Sequence, residues 1–290
     1  MATNTPFGQR LGLVLEGGAM RGIYTAGVLD VFLEAGIMPD VVVGVSAGAL
    51  HGCSYVAAQK GRSIRYYRKY RSDKHFMGLY SLLTTGDVVG TKFCYEDIPL
   101  RLDPFNEAAF EKAPVDFYVT VTNVRTGKTE YILCDELKVG SKMDVIRAGA
   151  SMPLCSKMVE WNGNLYLDGG VSDSIPYAKM KDFGCRKSIV VLTQPAGYLK
   201  PPAAMAPFEA MYRKYPAFVE AMRGRDQMYN TEVCAVEQAA KQGDVFLIRP
   251  SKLLHVGRME HDIEVLNAQY ELGRQDARNQ MDAMREWIER

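Results

Sequence analysis

The sequence predicts an α/β fold: a mostly parallel central sheet flanked by helices, followed by a mostly helical C-terminal part. Short apolar runs at 11–15 and 41–43 lead into the glycine cluster from Gly17 and into Gly44, as buried parallel strands do. Each is followed by a helical stretch, and strand–helix alternation implies parallel pairing through crossover helices. Beyond position 207 the apolar residues recur at helical spacing.

The first helical stretch, 21–35, sets Ile23, Val28, Val31 and Phe32 on one face and stops at Gly36. After 41–43 the chain turns sharply at Gly44 into a helix of small residues from Ala47. Residues 115–122 alternate like a half-exposed strand, and Thr126-Gly127-Lys128 returns the chain through 129–134 as a hairpin. A second hairpin joins 158–161 to 165–167 across Asn162-Gly163, a pair that tolerates positive φ. Residues 188–192 read as another buried strand and 245–248 as the last. Pro201, Pro202 and Pro207 interrupt regular structure, dividing the chain into 9–195 and a C-terminal extension, 196–290. There, Ile263, Leu266, Tyr270, Ala277, Met281, Met284 and Ile288 form a helical stripe, which suits a helix packed on its own core or an oligomer seam. Gly273 is expected to break it into two helices.

With 290 residues, 47% hydrophobic and 24% charged, the chain can bury a sizeable core. A formal net charge of +1 gives no global field directed at nucleic acid. The six cysteines show neither a C-x-x-C pair nor a zinc-like Cys/His cluster, so no metal or other cofactor is expected. Met1 to Arg10 has no secretory pattern, and no apolar run nears the roughly 20 residues of a spanning helix. The expectation is reduced thiols and a cytoplasmic location, with peripheral membrane-surface contact and oligomeric state left open.

Three features carry chemistry. Gly44-Val45-Ser46-Ala47-Gly48 matches the G-x-S-x-G nucleophile elbow, in which small flanking residues let the backbone turn and the serine Oγ protrude. Alone, the pattern arises by chance in roughly one chain in ten of this size, given the usual abundance of Gly and Ser. A preceding apolar strand and a following helix strengthen it. Glu16-Gly17-Gly18-Ala19-Met20-Arg21-Gly22 also follows a strand, and consecutive glycines let backbone N–H groups face a developing negative charge. A dinucleotide loop is the competing use, but the G-x-G-x-x-G spacing is absent. Asp168-Gly169-Gly170 closes the second hairpin: either a plain turn or an aspartate held rigidly with open space beside it.

Together these resemble the patatin-like phospholipase family, whose pattern is a glycine-rich oxyanion loop, a G-x-S-x-G elbow and a distal D-G-G or D-G-A aspartate. The run from Arg147 to Leu154 is similar to the family's segment ahead of the aspartate, and Ser172 to Pro176 to the one after it. The wording around Tyr24–Asp30 looks most like the bacterial branch of uncharacterised members. The resemblance spans about residues 9–195 and implies the patatin-like three-layer fold. It also implies a Ser46–Asp168 dyad, an oxyanion hole at Gly17, Gly18, Ala19 and Arg21, and hydrolysis of a lipid or other acyl ester through an acyl-enzyme. Where the family often carries a third glycine this chain has Ala19, whose methyl group is expected to require negative φ. Arg21 is expected to brace the loop or to add positive potential near the oxyanion.

An α/β-hydrolase triad would need His51, His75, His255 or His261. None has the loop context expected of a catalytic base, and His51 should face away from the nucleophile or along its helix. Two basic, aromatic stretches, 62–74 and 198–229, read either as a site lip for anionic headgroups and acyl chains or as amphipathic helices with solvated faces. A catalytically silent binding protein on the same fold and an acyltransferase are the competing functions.

Overall fold

A computed structural model describes residues 6–290; Met1–Thr5, where the leader reading begins, lie outside the described residues. Eight strands form one sheet: β1 (Arg10–Leu15), β2 (Val41–Val45), β3 (Asp116–Asn123), β4 (Thr129–Leu133), β5 (Val159–Trp161), β6 (Asn164–Asp168), β7 (Cys185–Val191) and β8 (Val245–Ile248). Pairing is parallel along β3–β2–β1–β7–β8, and antiparallel where β4 and β6 join β3 and β5 joins β6. Both expected hairpins form, and Asn162 and Gly163 both take positive φ, at 45° and 73°.

Register on β3 positions the site. Residues 118–122 of β3 pair with β4 along one edge. Along the other edge β2 pairs with 116–120, ending at Val45↔Thr120, and β6 pairs with 121–123, ending at Asp168↔Val121. The two strands run towards each other on one edge, so their C-terminal ends meet.

The helices are α1 (Ile23–Ala35), α2 (Ala47–Val56), α3 (Arg62–Tyr70), α4 (Leu79–Thr85), α5 (Glu107–Lys112), α6 (Lys142–Gly149), α7 (Ala206–Met211), α8 (Pro216–Arg223), α9 (Arg225–Gln242) and α10 (Ile263–Glu289), with a π-helical stretch at Phe93–Leu102. Strand alternation sorts them into layers. Leu13 and Leu15 of β1 join a core with Val28 and Phe32 of α1, Val56 of α2 and Met284 of α10. Val14, one residue out of phase, packs with Tyr229, Val236 and Ala239 of α9 on the opposite face.

Two sequence expectations give way here. The stretch 21–35 begins as a short 3-10 turn, Ala19–Gly22, before α1 starts at Ile23. Gly273 does not break the last helix, which runs unbroken over Ile263–Glu289. Its role is close approach: a Cβ at Gly273 would lie 2.1 Å from the Tyr24 carbonyl oxygen, and one at Gly27 equally 2.1 Å from that of Tyr270. The two glycines let α1 and α10 touch backbone to backbone. Tyr24 then donates to Asp276 at 3.1 Å and Tyr270 to Asp30 at 2.6 Å, fixing the pair.

Gly273→Ala therefore tests packing against propensity. In an exposed helix the change would stabilise by about 1 kcal/mol; here it should destabilise by about 1–3 kcal/mol, as overpacking does. Urea unfolding checks the sign, and a gain in stability would contradict the α1–α10 contact.

Candidate active site

Ser46 sits between β2 and α2 with φ +53° and ψ −124°, a conformation costly for a non-glycine residue, of order 1–3 kcal/mol, and characteristic of a nucleophile elbow. Both flanking glycines are sterically required. A Cβ at Gly44 would come within 2.5 Å of the Ala49 Cα, and one at Gly48 within 2.4 Å of the Leu15 carbonyl oxygen. The serine is nearly buried, and its hydroxyl donates to Asp168 Oδ2 at 2.5 Å.

Asp168 ends β6. Its other carboxylate oxygen accepts from the Gly170 N–H at 2.8 Å, and its carbonyl accepts from Thr122 Oγ1 at 2.9 Å. Gly169 has no room for a side chain, since a Cβ would lie 2.3 Å from the Thr120 carbonyl oxygen. Burial raises the Asp168 pKa above the ordinary carboxylate value, opposed by the Ser46 hydrogen bond and by the charge of Arg225. A base stronger than a solvated aspartate results.

The glycine loop leaves β1 and passes beside the serine. A Cβ at Gly17 would be 2.8 Å from the Ser46 Cβ, and one at Gly18 would be 2.7 Å from Thr193 Oγ1. Among the described residues, no backbone acceptor engages the N–H of Gly17, Gly18 or Ala19. Glu16, just before them, anchors the loop: its buried carboxylate accepts from the Thr193 N–H and, at 2.9 Å, from the Tyr229 hydroxyl.

Ala19 corrects the sequence expectation. Its φ is +49°, left-handed rather than negative, so the methyl group is tolerated at a conformational cost. Arg21 does brace the loop, but through its backbone: its N–H donates to the Gly18 carbonyl at 3.1 Å, while among the described residues no acceptor meets its buried Nε. Its side chain lines the cavity beside Ser46, where it adds positive charge.

The four histidines lie elsewhere. His51 is 1% exposed with both ring nitrogens unpartnered, and burial pushes its pKa down to about 3. His75 pairs with Asp73 at the surface, and His255 and His261 are exposed. None lines either cavity that reaches Ser46.

Those two cavities differ in chemistry. One, of about 110 Å³, is walled by apolar side chains including Leu50, Tyr67, Phe76, Ile98, Phe105 and Ile146. The other, of about 230 Å³, holds Glu16, Asp168, Arg21, Lys200, Arg225 and Arg258. They share Ala19, Ser46 and Met152, so the serine stands at their junction. The stretch 62–74 is largely the amphipathic helix with a solvated basic face: Arg65, Arg68, Lys69 and Lys74 are exposed while Ile64, Tyr67 and Tyr70 are buried, and two of its arginines depart from that pattern. Arg62 is buried and bonded to Ser54 and to the Asp103 carbonyl; Arg71 is buried on the carbonyls of Met259 and Glu260. The stretch 198–229 does reach the site, through Lys200, Phe208, Met222, Arg225 and Tyr229. Arg258, Thr193 and most of the apolar wall carry no motif and were invisible in the sequence. Glu16, Lys200, Arg225 and the wall residues Tyr66 and Tyr67 were visible only as members of longer stretches. The nearest approach to a metal-type cluster, Glu107, Glu111 and Glu136, holds the Lys138 ammonium 3.2–3.7 Å from its carboxylates instead.

Comparison with known proteins decides the family, because the patatin-like phospholipase model matches residues 13–180. The chain belongs to the patatin-like phospholipase family. A domain model of unknown function, DUF6363, matches residues 215–289. The uncharacterized protein YjjU of Escherichia coli K12 is 28% identical over 276 residues, covering 91% of this chain and 75% of its own. Lysophospholipase nte1 of Emericella nidulans is 30% identical over 182 residues, covering 61% of this chain; the match spans 11% of that protein's length. Its counterpart in Aspergillus terreus is 29% identical with the same coverage. A solved structure, VipD of Legionella pneumophila, covers 96% of this chain and 67% of its own, with a TM-score of 0.47 at 13% identity. No described helix is long and apolar enough to cross a membrane.

Because the folded-state pKa of Asp168 is raised, its buried carboxylate favours folding only while protonated. That contribution is fully present below the unfolded pKa of about 3.9 and is lost as pH rises through the folded value. Asp168→Asn should accordingly raise Tm at pH 7 by at least about 2 °C. The gain should vanish near pH 3–4, measured by calorimetry across that range. A lower Tm at pH 7 would show that the carboxylate is net stabilising.

Proposed function

We propose that the protein is a serine-dependent lipid acyl hydrolase in which Ser46 is the nucleophile and Asp168 its only proton acceptor. The observation that carries this is the buried 2.5 Å Ser46–Asp168 hydrogen bond, with free loop N–H groups beside it and no histidine within reach. Family membership and the likeness to lysophospholipases support lipid-ester hydrolysis as the reaction class.

The ester binds with its acyl chain in the apolar cavity and its carbonyl at the junction. Ser46 Oγ attacks the carbonyl carbon as its proton passes to Asp168 Oδ2. The carbonyl oxygen becomes an oxyanion and accepts from the N–H groups of Gly17, Gly18 and Ala19, reinforced by the N-terminal end of α2 behind the serine. Collapse breaks the bond to the leaving alcohol, which takes the proton back from Asp168. Water then attacks the acyl-enzyme, gives its proton to Asp168, and the second tetrahedral adduct releases the fatty acid and restores Ser46. Asp168 lines the cavity opposite the acyl wall, on the side where alcohol and water arrive. A raised pKa helps both halves, since a stronger base accepts the serine proton more readily.

A fluorophosphonate should modify Ser46, and Ser46→Ala should lose both labelling and activity towards short-chain esters. Asp168→Asn should fold and lower kcat by at least about a hundredfold, whereas His51, His75, His255 or His261 replaced singly by Ala should stay within about tenfold of wild type. Labelling at another serine, or a folded histidine variant as impaired as Asp168→Asn, would overturn the dyad.

A further inference from the structure

The apolar cavity has a direction and an end. Ala47, Leu50 and Cys53 line it along one face of α2, the helix that Ser46 caps. Ser46 to Cys53 spans seven residues, about 10 Å of helix at about 1.5 Å per residue. One residue further, at Ser54, the wall is closed by Arg62. This arginine is buried, donates to Ser54 Oγ at 3.1 Å and to the Asp103 carbonyl at 3.0 Å, and pairs with the Asp103 carboxylate at 3.5 Å. Its guanidinium carbon lies 5.5 Å from the centre of the Tyr66 ring and 5.4 Å from that of Phe105, and both rings also line the cavity. Two rings and a fixed charge thus form the far wall. A chain pushed through it would part the guanidinium from its partners and leave buried polar groups unpaired.

Length and volume agree on how much chain fits. An extended chain advances about 1.2 Å per bond, since a polypeptide covers about 3.5 Å in three, so the distance from Ser46 to Cys53 takes about eight carbons. The cavity's volume of about 110 Å³ is below the roughly 150 Å³ of an engineered apolar cavity that admits benzene. One leaflet of a bilayer, by contrast, holds about 15 Å of hydrocarbon, more than the cavity offers. We propose that this cavity limits acyl-chain length, so that the preferred substrates are medium-chain esters of about eight carbons, with Cys53, Tyr66 and Phe105 setting the limit. The assignment deepens the hydrolase reading and rests on Ser46 being the nucleophile.

The test uses the 4-nitrophenyl esters of butanoate, octanoate and dodecanoate, which share a leaving group and differ only in the acyl chain. Each methylene buried short of the wall can raise kcat/KM by up to about fourfold, so wild type should favour octanoate over butanoate by at least about tenfold. Dodecanoate, which overruns the wall, should fall at least about tenfold below octanoate. Cys53→Met fills the far end, and should lower the octanoate-to-butanoate ratio by at least about fivefold. Tyr66→Ala opens the wall, and should raise the dodecanoate-to-octanoate ratio by at least about fivefold. Each ratio is taken on a single preparation, so any loss of folded protein cancels from it. Dodecanoate turned over by wild type as fast as octanoate, or a ratio left unmoved in either variant, would overturn the length limit while leaving the hydrolase reading intact. If no ester is cleaved and a fluorophosphonate leaves Ser46 unmodified, the hydrolase reading itself fails and the length limit falls with it.

Discussion

The site depends on one constraint in the sheet: β2 and β6 share a single edge of β3, meeting end to end at Thr120 and Val121. A parallel strand and an antiparallel strand laid along the same edge must point at each other. Their C-terminal ends deliver Ser46 and Asp168, 122 residues apart in sequence, into a 2.5 Å hydrogen bond. Slipping either strand by one residue would turn its side chains to the opposite face and separate the pair. Backbone crowding enforces the register, since Gly169 presses on the Thr120 carbonyl and Gly48 on that of Leu15. The glycines around the site are thus as much about strands passing closely as about bare backbone at a reacting centre.

For the proposed dyad, that geometry accounts for an aspartate serving without a histidine. In water a carboxylate is too weak a base to draw a proton from serine, and most serine hydrolases interpose an imidazole. Here burial lifts the Asp168 pKa, while Arg225 and the Gly170 N–H keep the ionised form accessible. The opposing effects leave a carboxylate that is desolvated yet not abandoned. His51 shows the opposite case: buried with no partner, it is held neutral, and it lines neither cavity that reaches the serine.

Much of this was legible in the sequence. The apolar runs that became β1, β2, β7 and β8 are read by burial on both faces, and Asn162-Gly163 by its need for positive φ. The elbow, glycine loop and Asp168 were visible because each imposes local steric demands on neighbouring residue types. What stayed hidden depends on long-range contact. Gly273 looks like a helix breaker until Tyr24 is seen against it, and Ala19 gives no sign of the left-handed turn it occupies. The solvated basic face of 62–74 was legible, but not the burial of Arg62 within it, because sequence shows that Arg62 is charged and not that Ser54 and Asp103 hold it inside.

The C-terminal extension is where sequence and structure differ most in what they convey. Read linearly, it is an annex of amphipathic helices after a proline-rich break. In space it adds β8 to the sheet beside β7, locks α10 against α1, and sends Tyr229 to the carboxylate of Glu16 that anchors the glycine loop. Arg225, at the first turn of α9, touches the carbonyl of Gly170 two residues past the proposed base. A change in α9 therefore acts on both halves of the proposed machinery, through Glu16 on the oxyanion side and through Gly170 on the base side. The extension and the N-terminal segment are coupled by buried hydrogen bonds rather than by surface contact alone, so the helical layer is part of what holds Ser46 and Asp168, the proposed dyad, in place.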